Sequence, residues 1–184
     1  YLDRLVTRDM SKVVPGRVAY AAWCDDQGQV IDDGTIFHLR EGEYRLCSQE
    51  RHLDWLLASA LGFDVEVHHE TDDIAALAIQ GPTAFAVLER MGLGSIGGLR
   101  LFGLSEVTFG GESVVISRTG FTGDLGYEVW MRPSIAGAFW DALFDAGSLH
   151  GIRAIGLDAL EIARIEAGYL TAGIDFVPAD TAVR

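Results

Sequence analysis

Residues 125–147 read LGYEVWMRPSIAGAFWDALFDAG. A glycine opens a short apolar strand at Tyr127, which leads into a segment with Ile135, Phe139, Ala142, Leu143 and Ala146 at helical spacing. Residues 42–62, GEYRLCSQERHLDWLLASALG, follow the same plan: a glycine, a strand from a tyrosine, then an amphipathic helix that contains a tryptophan and ends in glycine. Two segments of one design predict an internal repeat.

The surrounding sequence extends that repeat. RVAYAAWC (17–24) and QVIDDGTIFHL (29–39) predict two strands joined by the turn DDQG, and EYRLC (43–47) predicts a third. Leu53, Leu56, Leu57, Ala60 and Leu61 predict one face of a helix closed by Gly62. FDVEVHH (63–69) alternates and predicts a closing strand. In the second half, DIAALAIQ (73–80) predicts a buried strand, and Gly81-Pro82 opens a helix through Met91. LSEVTFGGESVVIS predicts a hairpin turning at Gly110-Gly111, and GLDALEIARIEAG (156–168) a last helix, with Asp158 and Glu161 placed to pair with Arg164. The fold class is therefore α+β: two copies of helix, hairpin, strand, helix over residues 1–70 and 71–150, then a helix and tail over 151–184. The first copy lacks a leading strand, which would lie before Tyr1. The chain also opens inside a helix without a cap, so it reads as a fragment.

Composition narrows the function. At 184 residues, 49% of them hydrophobic, the chain can bury one sizeable core or two small ones. A net charge of −13 argues against nucleic acid, whose binding rests on Lys and Arg at phosphates. No apolar run approaches the roughly 20 residues of a membrane span, and no basic, apolar leader opens the chain. Cys24 and Cys47 form neither a CxxC pair nor a disulfide framework, and both read as buried free thiols. These features predict a cytoplasmic protein that binds neither membrane nor nucleic acid. The histidines are scattered or adjacent (His68-His69), so no metal site is predicted.

Two acids stand out. Asp32 and Asp33 sit mid-strand, where acids are disfavoured and where alternation sends them to opposite faces. Asp33 shares its parity with Ile31, Phe37 and Leu39, and an acid among apolar neighbours must be hydrogen-bonded or titrate high. That favours Asp33 as a functional acid; the alternative is that both aspartates brace a turn. Glu128 follows the loop SRTGFTGDLG, whose Gly120, Gly123 and Gly126 are more than a turn needs. Gly126 on its face would admit a flat ligand, with Trp130 or Phe121 against the ring, and the carboxylate could accept two parallel N–H bonds. The alternative is an exposed glutamate on a sheet edge.

Three blocks then carry a resemblance: PGRVAYAAWCDDQGQVIDDGTIF, ALAIQGPTAFAVLERMG, and SRTGFTGDLGYEV followed by GLDALEIARIEAGYLTAGIDF. In this order they resemble the glycine-cleavage T-protein (aminomethyltransferase) family of folate-dependent one-carbon transferases, across nearly the whole chain. The resemblance implies a pair of similar βαββα-type units with tetrahydrofolate as cofactor. It implies that Asp33 is the catalytic acid and that Glu128 holds the aminopyrimidine edge of the pterin. It places Tyr20 in the pocket and Phe102 and Phe121 against the folate, with Phe121 standing where the family usually has Tyr. Leu160 stands where glycine-cleavage members usually carry a folate-contacting Arg. The implied partner is a one-carbon donor, either a small molecule or carried by a protein. The family also includes enzymes that demethylate methoxy-aromatic or sulfonium compounds, and folate-binding proteins of iron–sulfur assembly that are not transferases.

Overall fold

A computed structural model describes residues 1–182. Helices and antiparallel sheets form two compact units, so the fold is α+β. One unit is Tyr1–Glu70 together with the C-terminal residues from Leu170, and the other is Thr71–Tyr169.

In the first unit, helix α1 (Leu2–Leu5) precedes strands β1 (Arg17–Cys24), β2 (Val30–Arg40) and β3 (Glu43–Ser48), then helix α2 (Leu53–Ser59). The strands form a meander in the order β1-β2-β3. Asp25 shapes the first turn by accepting the N–H groups of Gln27 and Gln29, while Gly28 takes a left-handed φ of 78°. The second junction is closer still: a Cβ added to Gly34 would lie 2.0 Å from the Cys47 carbonyl oxygen. One face of the sheet buries Ala19, Ala21, Trp23 and Ile36, with Val6 and Met10 packed against them.

In the second unit, strand β4 (Ala75–Gln80) leads to helix α3 (Ala84–Leu88), followed by β5 (Leu104–Phe109), β6 (Glu112–Ser117), β7 (Gly126–Met131), helix α4 (Pro133–Gly147) and helix α5 (Leu157–Glu166). The sheet order is β4-β7-β6-β5, all antiparallel. Tyr127, Val129 and Met131 of β7 turn towards α3 and α4 and bury against Leu88, Phe139 and Leu143. The intervening residues Gly126, Glu128 and Trp130 therefore face the other way. The hairpin–strand–helix plan recurs in both units. On its side away from β6, β7 pairs with β4; on its side away from β2, β3 pairs with no strand among the described residues.

Four sequence expectations change. Residues 63–69 form no strand: the alternation is present, but no neighbouring edge pairs with it among the described residues. Helix α2 ends at Ser59 and fully buries none of its residues: Trp55 packs against the core, but Leu57 and Leu61 of the expected apolar face are exposed. The helix expected to start at Gly81-Pro82 begins at Ala84 and loosens after Leu88 into a wider turn, where Gly92 takes φ 82°. Cys24 and Cys47 are free thiols but only partly buried. No helix of the described residues is long and apolar enough to cross a membrane.

Candidate functional site

In the first unit, cross-strand register sorts the two aspartates. Asp32 pairs with Trp23 on the core face, and Asp33 pairs with Ala22 on the opposite face. The acid buried against apolar neighbours is therefore Asp32, 1% exposed, and not Asp33 as the parity argument held. The reason is the packing: Asp32 shares the face of Ile36, which lies in the core, with no slip between them, and the bulge beyond Asp32, where Cys24 pairs with Val30, turns Ile31 into that core against its parity. Asp33 instead meets Tyr20 of β1, whose hydroxyl donates to Asp33 Oδ2 at 2.7 Å. Burial raises the Asp33 carboxyl above its usual range and the charge of Asp32 adds to this, while the Tyr20 hydrogen bond opposes it. The Tyr20 phenol is pushed up to about 12 by burial and by its bond to Asp33. Tyr20 is thus a permanent donor, which leaves Asp33 as the group that can exchange a proton. Tyr20→Phe removes the opposing hydrogen bond, so the Asp33 titration is expected to move to higher pH; carbon NMR of the side-chain carboxyls checks this, and an unmoved titration would show the bond to be without electrostatic effect.

In the second unit, Glu128 lies between Ala78 of β4 and Ser117 of β6. Trp130 Nε1–H donates to Ser117 Oγ at 3.3 Å, Ser117 and Thr119 share a hydroxyl bond of 2.6 Å, and the Thr119 hydroxyl donates to Glu128 Oε2. Ser117 and Thr119 are both buried, so the relay holds the carboxylate in one place. Burial raises Glu128 above the usual carboxylate range, against the lowering effect of Thr119. Phe102 belongs to the same end of this sheet: its N–H bonds to Arg118 O just beyond Ser117, and its φ of 59° is one that a phenylalanine adopts only when its surroundings impose it. Phe121 is 37% exposed and stacks on Tyr169, with centroids 5.5 Å apart.

The glycines of the loop have a different purpose from the one expected. A Cβ at Gly120 or at Gly126 would lie 2.0 Å from Gln80 Oε1. The Gln80 amide fills that space, donating to Thr119 O and Tyr127 O and accepting from Thr122. What the loop holds at Gly126 is thus a glutamine of its own chain rather than a flat ligand. Gly126→Ala displaces that amide and is expected to cost about 2 kcal/mol, two or more hydrogen bonds at roughly 1 kcal/mol each. Urea unfolding measures it, and an unchanged midpoint would mean that Gln80 moves aside freely.

Comparison with known proteins decides the family. Residues 1–184 match the GCVT N-terminal domain throughout. The chain belongs to that family. An aminomethyltransferase of Bacillus subtilis is 37% identical over 172 residues, covering 91% of this chain and 47% of the relative. A trimethylamine-oxide aldolase of Ruegeria pomeroyi is 38% identical over 183 residues, 94% of this chain but 23% of the relative. The crystal structure of the glycine cleavage system aminomethyltransferase T from Bartonella henselae superposes with a TM-score of 0.80 at 25% identity, over 95% of this chain and 47% of that one. The chain thus spans about half the length, or less, of the relatives it matches, consistent with a fragment of a longer chain.

Within this GCVT N-terminal domain, Asp33 and Tyr20 belong to one unit, and Glu128, Phe102 and Phe121 to the other. Sequence reasoning missed Thr119, Ser117 and Gln80. The two threonines of RTGFTG were visible, but nothing in the spacing showed that the first would point back to Glu128. Gln80 carried a signal that could have been used: a lone amide at the end of an apolar strand, register-paired with a glycine. Among the described residues no group of His, Cys, Asp and Glu is arranged to hold a metal ion.

Proposed function

We propose that this domain serves tetrahydrofolate-dependent transfer of an aminomethyl or methyl group. The observation that carries the reading is the fixed Glu128 carboxylate. One oxygen is oriented by Thr119, and the lone pairs it leaves free can accept paired N–H groups from an aminopyrimidine edge. The small neighbours Ala76 and Ala78 on the same face of β4 leave room for a flat ring. When bound, tetrahydrofolate supplies the nitrogen nucleophile to which a one-carbon unit is attached.

The chain's own residues then have distinct parts. Glu128 binds and orients the pterin, with Phe102 and Phe121 as apolar contacts to its rings. Asp33, titrating above the usual range, is the acid that holds or gives up a proton and stabilises developing positive charge. Tyr20 keeps one Asp33 oxygen engaged, which leaves the other for proton exchange. The donor is a small molecule or a carrier-bound group, and the acidic composition and free thiols suit the cytoplasm.

A second reading of the donor has support of its own. The relative named for trimethylamine oxide, an N-methylated compound, is 38% identical to this chain, so the one-carbon unit could leave from such a nitrogen rather than from a carrier protein. Incubating the protein and tetrahydrofolate with isotope-labelled donors of each class, followed by mass spectrometry of the folate, tests both readings. Labelled folate identifies the donor; unlabelled folate with every class would contradict one-carbon transfer.

A further inference from the structure

Directly behind Asp33 lies a buried acid to which the proposed chemistry gives no part. Asp32 Oδ1 accepts the N–H of Asp33 at 2.8 Å, and Oδ2 accepts the N–H of Glu50 at 3.3 Å. This happens just past Gly34–Ser48, the last pair of the β2–β3 ladder, where neither Asp33 nor Glu50 has a partner in that ladder. The carboxylate takes the place of the missing rungs. Its Oδ2 also meets His52 Nε2 at 3.0 Å.

His52 is itself held on several sides. Its other ring nitrogen lies 3.6 Å from Asp180 Oδ2, and its ring stands edge-on to buried Trp23 at 6.2 Å. Its backbone adopts φ 32°, ψ 24°, a left-handed conformation that costs energy for a residue with a side chain. Only about a tenth of the His52 side chain is exposed. A strained, enclosed histidine between two carboxylates and one residue removed from an acid is a costly way to cap a seven-residue helix, and it makes no side-chain cap bond there.

We propose that Asp32 and His52 form a positioning pair for Asp33: Asp32 fixes the Asp33 backbone and acts on its carboxyl with a negative charge, and His52 fixes Asp32 and offsets that charge. This rests on the reading of Asp33 as the acid of one-carbon transfer. The groups that bear on Asp33 are Tyr20 of β1 and Asp32 of β2. Arg8 adds a cation near the Tyr20 carbonyl, at 3.5 Å. Those that bear on His52 are Asp32 and Asp180. By engaging Asp32 Oδ2 through Nε2, His52 offsets part of the field that Asp32 exerts on Asp33.

The two residues therefore act on Asp33 with opposite signs, and a merely structural pair would not. In Asp32→Asn the Asp33 titration moves to lower pH, because a like charge is gone while the amide oxygen still accepts the backbone N–H. In His52→Leu it moves to higher pH, because the ring that engages Asp32 Oδ2 is gone and the field of Asp32 falls undiminished on Asp33. Both are read by carbon NMR of the Asp33 carboxyl in the isotopically labelled chain, assigned with Asp33→Asn. Shifts of the expected opposite sign support the pair. Unmoved titrations, shifts of the same sign, or loss of folding in both variants would overturn it, and if only one variant folds its sign decides. The measurement needs no folate, so its failure leaves the one-carbon reading standing. Conversely, full turnover in Asp33→Asn would remove that reading without touching the coupling.

Discussion

Asp33→Asn lowers one-carbon transfer by about two to four orders of magnitude, the range spanned by general acid–base groups, and leaves tetrahydrofolate affinity almost unchanged. Asparagine keeps the shape of the side chain and can still accept the Tyr20 hydroxyl, so the contact between the two strands survives. What it loses is the ability to take and return a proton. The separation of rate from binding is the informative part. Turnover and affinity falling together would make Asp33 a structural residue, and the raised titration would then be a by-product of burial and of Asp32.

Glu128→Gln has the complementary signature. It weakens tetrahydrofolate binding by about ten- to a hundredfold, the equivalent of one charge-assisted hydrogen bond at roughly 1.5–3 kcal/mol. The same substitution stabilises the free protein at neutral pH. The folded-state titration of Glu128 lies above its unfolded value, so its favourable contribution is full below the unfolded value and is lost as pH rises through the folded one. At neutral pH the ionised, largely buried carboxylate is a liability that glutamine removes. Thermal unfolding of parent and variant across the acid range checks the sign: the two should converge as the pH falls through the Glu128 titration. Loss of stability at neutral pH would indicate that the relay from Thr119 outweighs burial.

The pattern of these residues explains what the sequence made legible. The repeat was visible because each copy has the same two periods in series, alternation at Tyr44 or Tyr127 and then helical spacing ending at Gly62 or Gly147. The turns were visible because their chemistry is local, as at Asp25–Gly28 and Gly110-Gly111, where the glycines take φ 59° and 86°. Residues 63–69 misled because alternation is only half of a strand; the other half is a partner edge, which is not local. The same limit applies to the acids. Alternation correctly placed Asp32 and Asp33 on opposite faces, but which face was inside depended on packing: Ile36, on the face of Asp32, lies in the core, and Ile31 joins it only through the slip opposite Cys24. The roles of the loop glycines depended on Gln80, a residue some forty positions away. Glu128 was legible as a candidate, whereas the hydroxyls that orient it required the fold.

Calorimetric titration of reduced tetrahydrofolate into the parent protein and into Glu128→Gln tests the central claim most directly, since it asks whether this domain binds the pterin through that carboxylate. The account predicts saturable binding by the parent and a clearly weaker isotherm for the variant. Equal affinity in the two proteins would contradict it.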